Sequence, residues 1–264
     1  MGAALGAVLL LGSGYDRAAA ACNLPPLGQG HVAAVIDERT FRLDDGREIR
    51  LAGIEALSSL RETTPNAGSA TRPDIAVLTS LVGDRDVTLR GPAAKPDRYG
   101  RLVAFAYAGA SVDSIQGLLL DRGDAAVAGN IGGTENRECV NELLVHEATA
   151  RRARRGFWAE PTAIKNTENA ADISPWIGRF VVAEGKIASV HEAAGTVYIN
   201  FGGHWTRDFA VTISGRMIHT FEGAGINPKT LENRTVRVRG WVELRGGPRI
   251  EALGPGQIEL VGDR

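Results

Sequence analysis

Two stretches of this chain alternate apolar and polar residues with a period of two, and turn residues punctuate both. The clearest is 35–58, VIDERTFRLDDGREIRLAGIEALS, in which Val35, Thr40, Phe41, Leu43, Ile49, Leu51 and Ile54 supply β-branched and apolar positions. That pattern predicts a strand–turn–strand unit with Asp44-Asp45-Gly46 as the turn, Gly46 being free to take a positive φ. A strand over 31–36 precedes it, and the same alternation predicts strands over 87–90 and 102–107. Ile75, Leu78, Leu81 and Val82 recur at helical spacing, so 70–82 reads as a helix stopped by Gly83. Residues 111–120 read as a second helix ending near Gly123, and 141–155 as a third, with Gly156-Phe157-Trp158 closing the unit. The polar residues of 58–69 read as a loop.

The alternation returns after 175. Strands are expected over 180–190, 196–201, 209–214, 235–244 and 249–253, with a helical turn over 216–222 after the third. Five strands with a helix at that point is the element order of an OB-fold. The chain therefore divides into 1–21, 22–29 as a linker, a first domain over 30–160, a Thr-, Asn- and Ala-rich linker over 161–175, and an OB-like β-barrel over 176–264. The fold class is mostly β with α, two small barrels in tandem.

Composition narrows this picture. The 264 residues are 44% hydrophobic, enough for a core, and the formal net charge of −1 excludes a globally basic nucleic-acid binder while leaving a local patch open. Ala3–Gly12 is a short apolar run, and Ala18-Ala19-Ala20-Ala21 offers small residues for cleavage, so 1–21 reads as a secretory signal peptide. An extracytoplasmic location follows, periplasmic or secreted, and nothing after residue 25 is apolar for long enough to span a bilayer. In an oxidising compartment the two cysteines, Cys22 and Cys139, are expected to pair. A lipid on Cys22 is the alternative, although Ala19 stands where a lipobox carries leucine.

Arg50 opens the return strand of the first unit, Glu55 follows it, and Asp97-Arg98-Tyr99-Gly100-Arg101 lies downstream. With Asp37-Glu38-Arg39-Thr40 these residues resemble the staphylococcal-nuclease (thermonuclease) family over about 30–158. The resemblance implies an OB-type barrel with three helices. It also implies a Ca²⁺ held by two Asp carboxylates and a backbone carbonyl, a Glu that handles the attacking water, and two Arg on the phosphate. Carried over, Arg50 and Arg101 keep the guanidinium positions, with Arg98 and Tyr99 beside them as further phosphate-binding candidates. Asp37 matches the first Asp, but Arg39 stands at one metal-binding Asp and Glu55 at the other. Ser58 stands at the general base.

A guanidinium where Ca²⁺ needs a hard oxygen removes a ligand and adds repulsion, and loss of a general base costs roughly 10² to 10⁴ in rate. No cofactor is expected on this reading, and Arg39 should instead reach Glu55, since a partly buried carboxylate needs a cation. The family's catalytic positions that remain are then Arg50, Arg101 and Glu55.

Three readings are open. One is a degenerate nuclease that binds phosphodiester or single-stranded nucleic acid. Another is an active nuclease with a Ca²⁺ site rebuilt from Asp37, Glu38, Glu55 and Glu62. The third is an envelope interaction module. Arg151, Arg152, Arg154 and Arg155 suit a helix C-terminus better than a nucleic-acid contact. Tyr198, Phe201, Trp205, Phe209 and Trp241 are candidate stacking residues on the second barrel, whose partner the sequence leaves unnamed.

Overall fold

The computed structural model describes residues 22–56, 58, 60, 73–92, 95–131, 136–204 and 207–262. The expected signal peptide, Glu62 and Trp205 lie outside them.

The first part contains β1 (Pro26–Asp37), β2 (Thr40–Leu43), β3 (Glu48–Leu51), β4 (Ile54–Ala56), α1 (Pro73–Val82), β5 (Asp86–Arg90), β6 (Leu102–Ala108), α2 (Ile115–Arg122), β7 (Ala125–Val127) and α3 (Arg137–Arg152). Five strands close a barrel in the order β1-β2-β3-β6-β5. All its pairings are antiparallel except β3 with β6, where Ile49, Arg50 and Leu51 face Leu102, Val103 and Ala104. Alternation explains the core: on β5, Val87 and Leu89 are buried and Asp86, Thr88 and Arg90 exposed. Beside the barrel, β4 and β7 form a two-stranded pair in which Glu55 faces Ala126.

The helices differ from expectation at their starts. α2 begins at Ile115 rather than 111, because the Ser114 side chain accepts the Gly117 amide as its N-cap. It ends on Gly123 at φ 74°, where a Cβ would lie 2.2 Å from the Arg155 carbonyl oxygen. α3 begins at Arg137 and ends at Arg152, four residues earlier and three residues earlier than the pattern predicts. A disulfide joins Cys22 to Cys139 on α3, with Cα atoms 4.3 Å apart.

Neither expected linker is a linker in the described structure. Within 22–29, β1 already starts at Pro26 and pairs with β5, and Leu24 is buried. Within 161–175, β8 (Ile164–Asn166) runs parallel to β9 (Phe180–Lys186). A short helix α4 (Ala170–Ile173) and a 3₁₀ turn over Ser174–Trp176 follow. The physical reason is a sparse set of apolar anchors: Ala163, Ile173 and Trp176 are buried, and Lys165 Nζ sits 4.0 Å from the centre of the Trp176 ring.

The second barrel adds β10 (Ser189–Ala193), β11 (Thr196–Asn200), β12 (Ala210–Ser214), α5 (Ile218–Gly223), β13 (Thr235–Arg245), β14 (Gly247–Glu251) and β15 (Ile258–Leu260). The sheet runs β10-β11-β12-β14-β13-β9-β8, with β15 on β13. β9 and β10 are two arms of one bent segment: the Ile187 amide bonds toward β13 through Arg234, and the Ala188 amide bonds to Asn200 of β11. Counted as one strand, they close a circuit that again has one parallel seam, β12 with β14. Both barrels thus follow the same OB-type path.

The barrels meet along α3. Ala126, Ala150, Phe157 and Trp158 from the first pack with Phe180 and Val182 from the second. Beside them the fully buried Glu147 accepts from Arg239, also fully buried, at 2.8 and 2.9 Å, and from the Val127 amide at 2.7 Å. Arg151 reaches Glu147 at 2.7 Å and Glu259 at 3.0 Å, and Arg237 joins Glu259 to Glu184. Three carboxylates and three guanidinium groups thus run in one chain across the junction.

Candidate nucleic-acid interface

The turn between β1 and β2 sets the site. Asp37 Oδ1 accepts the Arg39 amide at 2.9 Å, so this carboxylate closes a local turn instead of standing free. The Arg39 carbonyl accepts the Leu51 amide, and Thr40 faces Arg50 across β2 and β3. With its backbone fixed there, the Arg39 side chain reaches β4. Its Nη1 donates to the Ile54 carbonyl at 2.7 Å, and Nη2 lies 2.7 Å from Glu55 Oε2. The second contact is an ion pair and not a well-aligned hydrogen bond, and both side chains are largely buried. This is the pairing that the sequence leads one to expect. Glu38 Oε2 accepts the Ser58 amide at 3.1 Å, and Ser58 itself is exposed.

Arg50 is half-buried on β3, and among the described residues no hydrogen bond or ion pair engages its side chain. Burial pushes its guanidinium down from the ordinary value. The charges of Arg39 and Arg101 push it the same way, and Glu55 and Asp37 oppose them. All four groups are therefore near enough to act on Arg50.

Arg101 is held by its own loop. Its Nε and Nη2 donate to Asp97 Oδ2 at 3.0 and 2.8 Å, while Asp97 Oδ1 accepts the amides of Tyr99 and Arg101. Burial alone would raise the Asp97 carboxyl, but the Arg101 guanidinium and the two amides hold it below its ordinary value. Gly100 takes φ 82°, which completes the turn. The Tyr99 ring, 64% exposed, has the guanidinium carbons of Arg98 and Arg101 at 4.7 and 4.8 Å from its centre. An exposed aromatic face flanked by two cations suits a base beside its phosphate.

The residues present do not fit the Ca²⁺ that the resemblance implies. One of the two acidic ligand positions carries Arg39, whose guanidinium lies against the other, Glu55. Asp37 is committed to its turn. Among the described residues no three His, Cys, Asp or Glu side chains converge to hold a metal ion. Hard oxygen ligands in number are what Ca²⁺ requires.

Several other candidates resolve differently. Arg151 serves the inter-barrel ion chain, Arg152 donates to Thr149 and Arg155 to the Asp121 carbonyl. Phe201 and Phe209 are core residues packed on each other, and Tyr198 stacks flat on His191 at 5.0 Å. Trp241 is partly exposed and packs edge-on to Phe180. The Glu147–Arg239 pair escapes a sequence reading, because a strand pattern T-V-R-V-R places its arginines on the face that normally meets water. A cavity of about 1100 Å³ lies between α3 and the second barrel, lined by Val140, Leu144, Met217 and Ile226 among others. No residue of the arginine cluster lines it, and its one arginine, Arg137, donates to the Gly223 carbonyl, so the cluster is the better candidate.

Residues 48–160 match the family described as Staphylococcal nuclease homologue. The match begins at β3, so it includes Arg50, Glu55 and 97–101 but not Asp37 or Arg39. None of the curated proteins compared matches the chain. The segment is thus a staphylococcal-nuclease-like domain, its closed five-stranded barrel fits that fold, and a nuclease-like, nucleic-acid-binding class follows for it.

Proposed function

We propose that this is an exported protein whose first barrel binds the phosphodiester backbone of single-stranded nucleic acid through Arg50 and Arg101, and whose Ca²⁺-dependent hydrolysis has been lost. The observation that carries the proposal is the Arg39 guanidinium seated 2.7 Å from both Glu55 Oε2 and the Ile54 carbonyl, with Arg50 unengaged beside it among the described residues. A half-buried guanidinium with free donors is a ready anion site, because two parallel N–H bonds match two phosphate oxygens. Tyr99 supplies a stacking face, with Arg98 and Arg101 around it. The hydrolytic half of the family chemistry lacks its parts: Ser58 has no basicity near neutral pH and Glu55 is neutralised by Arg39.

The Cys22–Cys139 bridge supports an oxidising, extracytoplasmic setting. Among the described residues no helix is long and apolar enough to cross a membrane. On this reading the second barrel serves a different partner, since its aromatic residues are mostly committed to its own core. Fluorescence anisotropy with a labelled single-stranded oligonucleotide, titrated against salt, tests the proposal. Arg50→Ala should weaken binding by roughly tenfold or more and flatten the salt slope. Chelator-sensitive digestion of the oligonucleotide by the wild-type protein would overturn the loss of hydrolysis.

A further inference from the structure

The charge balance around Arg50 makes a more specific statement than loss of metal binding. Arg39, Arg50, Arg98 and Arg101 stand with Asp37, Glu38, Glu55 and Asp97, so the cluster is formally neutral as it is. A carboxylate at position 39 holding one divalent cation would contribute a net charge of plus one. The Arg39 guanidinium contributes the same plus one through a single covalently attached group. It also does what a cation would do for Glu55, a carboxylate kept in a largely buried place by β4 and β7. Without some positive partner that carboxylate would be costly to bury. The guanidinium satisfies the Ile54 carbonyl as well, through its second nitrogen.

We infer that Arg39 is a built-in counterpart of a bound divalent cation. It pins Glu55, it supplies one net positive charge beside Arg50, and it gives a site that takes a phosphodiester monoanion with no metal and turns divalent cations away. The two functions of a metal at such a site are thereby separated. Electrostatic attraction for the anion remains, and Lewis-acid activation of water does not, since a guanidinium offers no open coordination position. Arg39 is paired with Glu55 and Arg101 with Asp97, while no hydrogen bond or ion pair among the described residues engages the Arg50 side chain, so Arg50 is the group that presents its donors to the phosphodiester.

The anion half of this inference rests on the proposed phosphodiester binding, and the metal half does not, so two readouts are needed. In the first, melting temperatures are measured in EDTA and in CaCl₂. The wild-type protein should melt at the same temperature in both, and Arg39→Asp should gain a rise of several degrees in CaCl₂. In the second, anisotropy follows a labelled single-stranded oligonucleotide. Wild-type affinity should be equal in the two buffers, while Arg39→Asp should bind about tenfold more weakly in EDTA and recover in CaCl₂. Arg39→Gln covers the case in which the carboxylate variant fails to fold: its binding should be weakened and Ca²⁺ should not restore it. A wild-type melting temperature that rises in CaCl₂ would overturn the inference, as would Arg39→Gln binding as tightly as wild type. Wild-type protein that binds no oligonucleotide in either buffer would sink the proposed function instead, and the melting experiment would then decide the role of Arg39 alone.

Discussion

The two barrels trace the same strand circuit and close it with the same kind of parallel seam, yet they place different side chains there. At the first seam Arg50 faces Val103, with Arg101 just ahead of β6. At the second, Ala210, Val211 and Thr212 face Arg249, Ile250 and Glu251. One outward position there carries a carboxylate, and Arg249 lies 3.8 Å from Glu243. A shared backbone path therefore fixes where side chains can point and leaves the electrostatics of the seam to a handful of residues. The barrels also differ in how they are held: a disulfide ties the first to α3, and the second, among the described residues, contains no cysteine.

The largest blow to that contrast should come from the disulfide. The bridge spans 117 positions, and replacing Cys22 and Cys139 by Ala is expected to cost up to about 4.7 kcal/mol by chain-entropy reasoning. Hydrogen exchange should show the loss in the amides of β1 and α3 and spare β13. Equal loss in both barrels would mean that they open together and would erase the distinction. Next in size is Glu147→Gln at the junction. It leaves Arg239 buried with its charge incompletely matched, and about 3 kcal/mol should be lost by chemical denaturation.

A smaller effect should appear in acid. Burial would raise the Glu259 carboxyl, but Arg151, Arg239 and Arg237 hold it below its ordinary value. Its stabilisation is therefore present above the unfolded carboxylate range and lost as pH falls from about 4.5 through the depressed folded value. Glu259→Gln should blunt that acid limb of the melting curve, while Asp97→Asn should blunt a similar one arising in the first barrel alone.

Much of the first barrel was legible because its hairpin combines a strict alternation with a D-D-G turn, and both survive in the structure as β2 and β3. The Arg39–Glu55 pairing was legible as well, from the cost of leaving a buried carboxylate alone. The short strands β4, β7, β8 and β15 were not. Three residues carry too little period to register, and Ala125-Ala126-Val127 reads equally well as the end of a helix. The junction was hidden for a different reason. Arg237 and Arg239 alternate correctly with Val236 and Val238, but the face they point to is covered by α3, and only the fold brings Glu147 there. The stretch 161–175 looked polar because its few apolar residues are spaced irregularly, matching neither a strand nor a helix.

That stretch has one consequence for how the second barrel survives in solution. β8 lies along β9, with Ile164, Lys165 and Asn166 opposite Val182, Ala183 and Glu184. β9 is otherwise bonded on one side only, to β13. A fragment beginning at residue 176 would keep the whole barrel circuit and still uncover a row of main-chain donors and acceptors flanked by Val181, Val182 and Ala183. Such a bare margin invites the same margin of a neighbouring molecule. Three residues that look like a tether thus act as a guard strip against self-association, and a fragment that includes 161–175 should stay monomeric at concentrations where the shorter one does not.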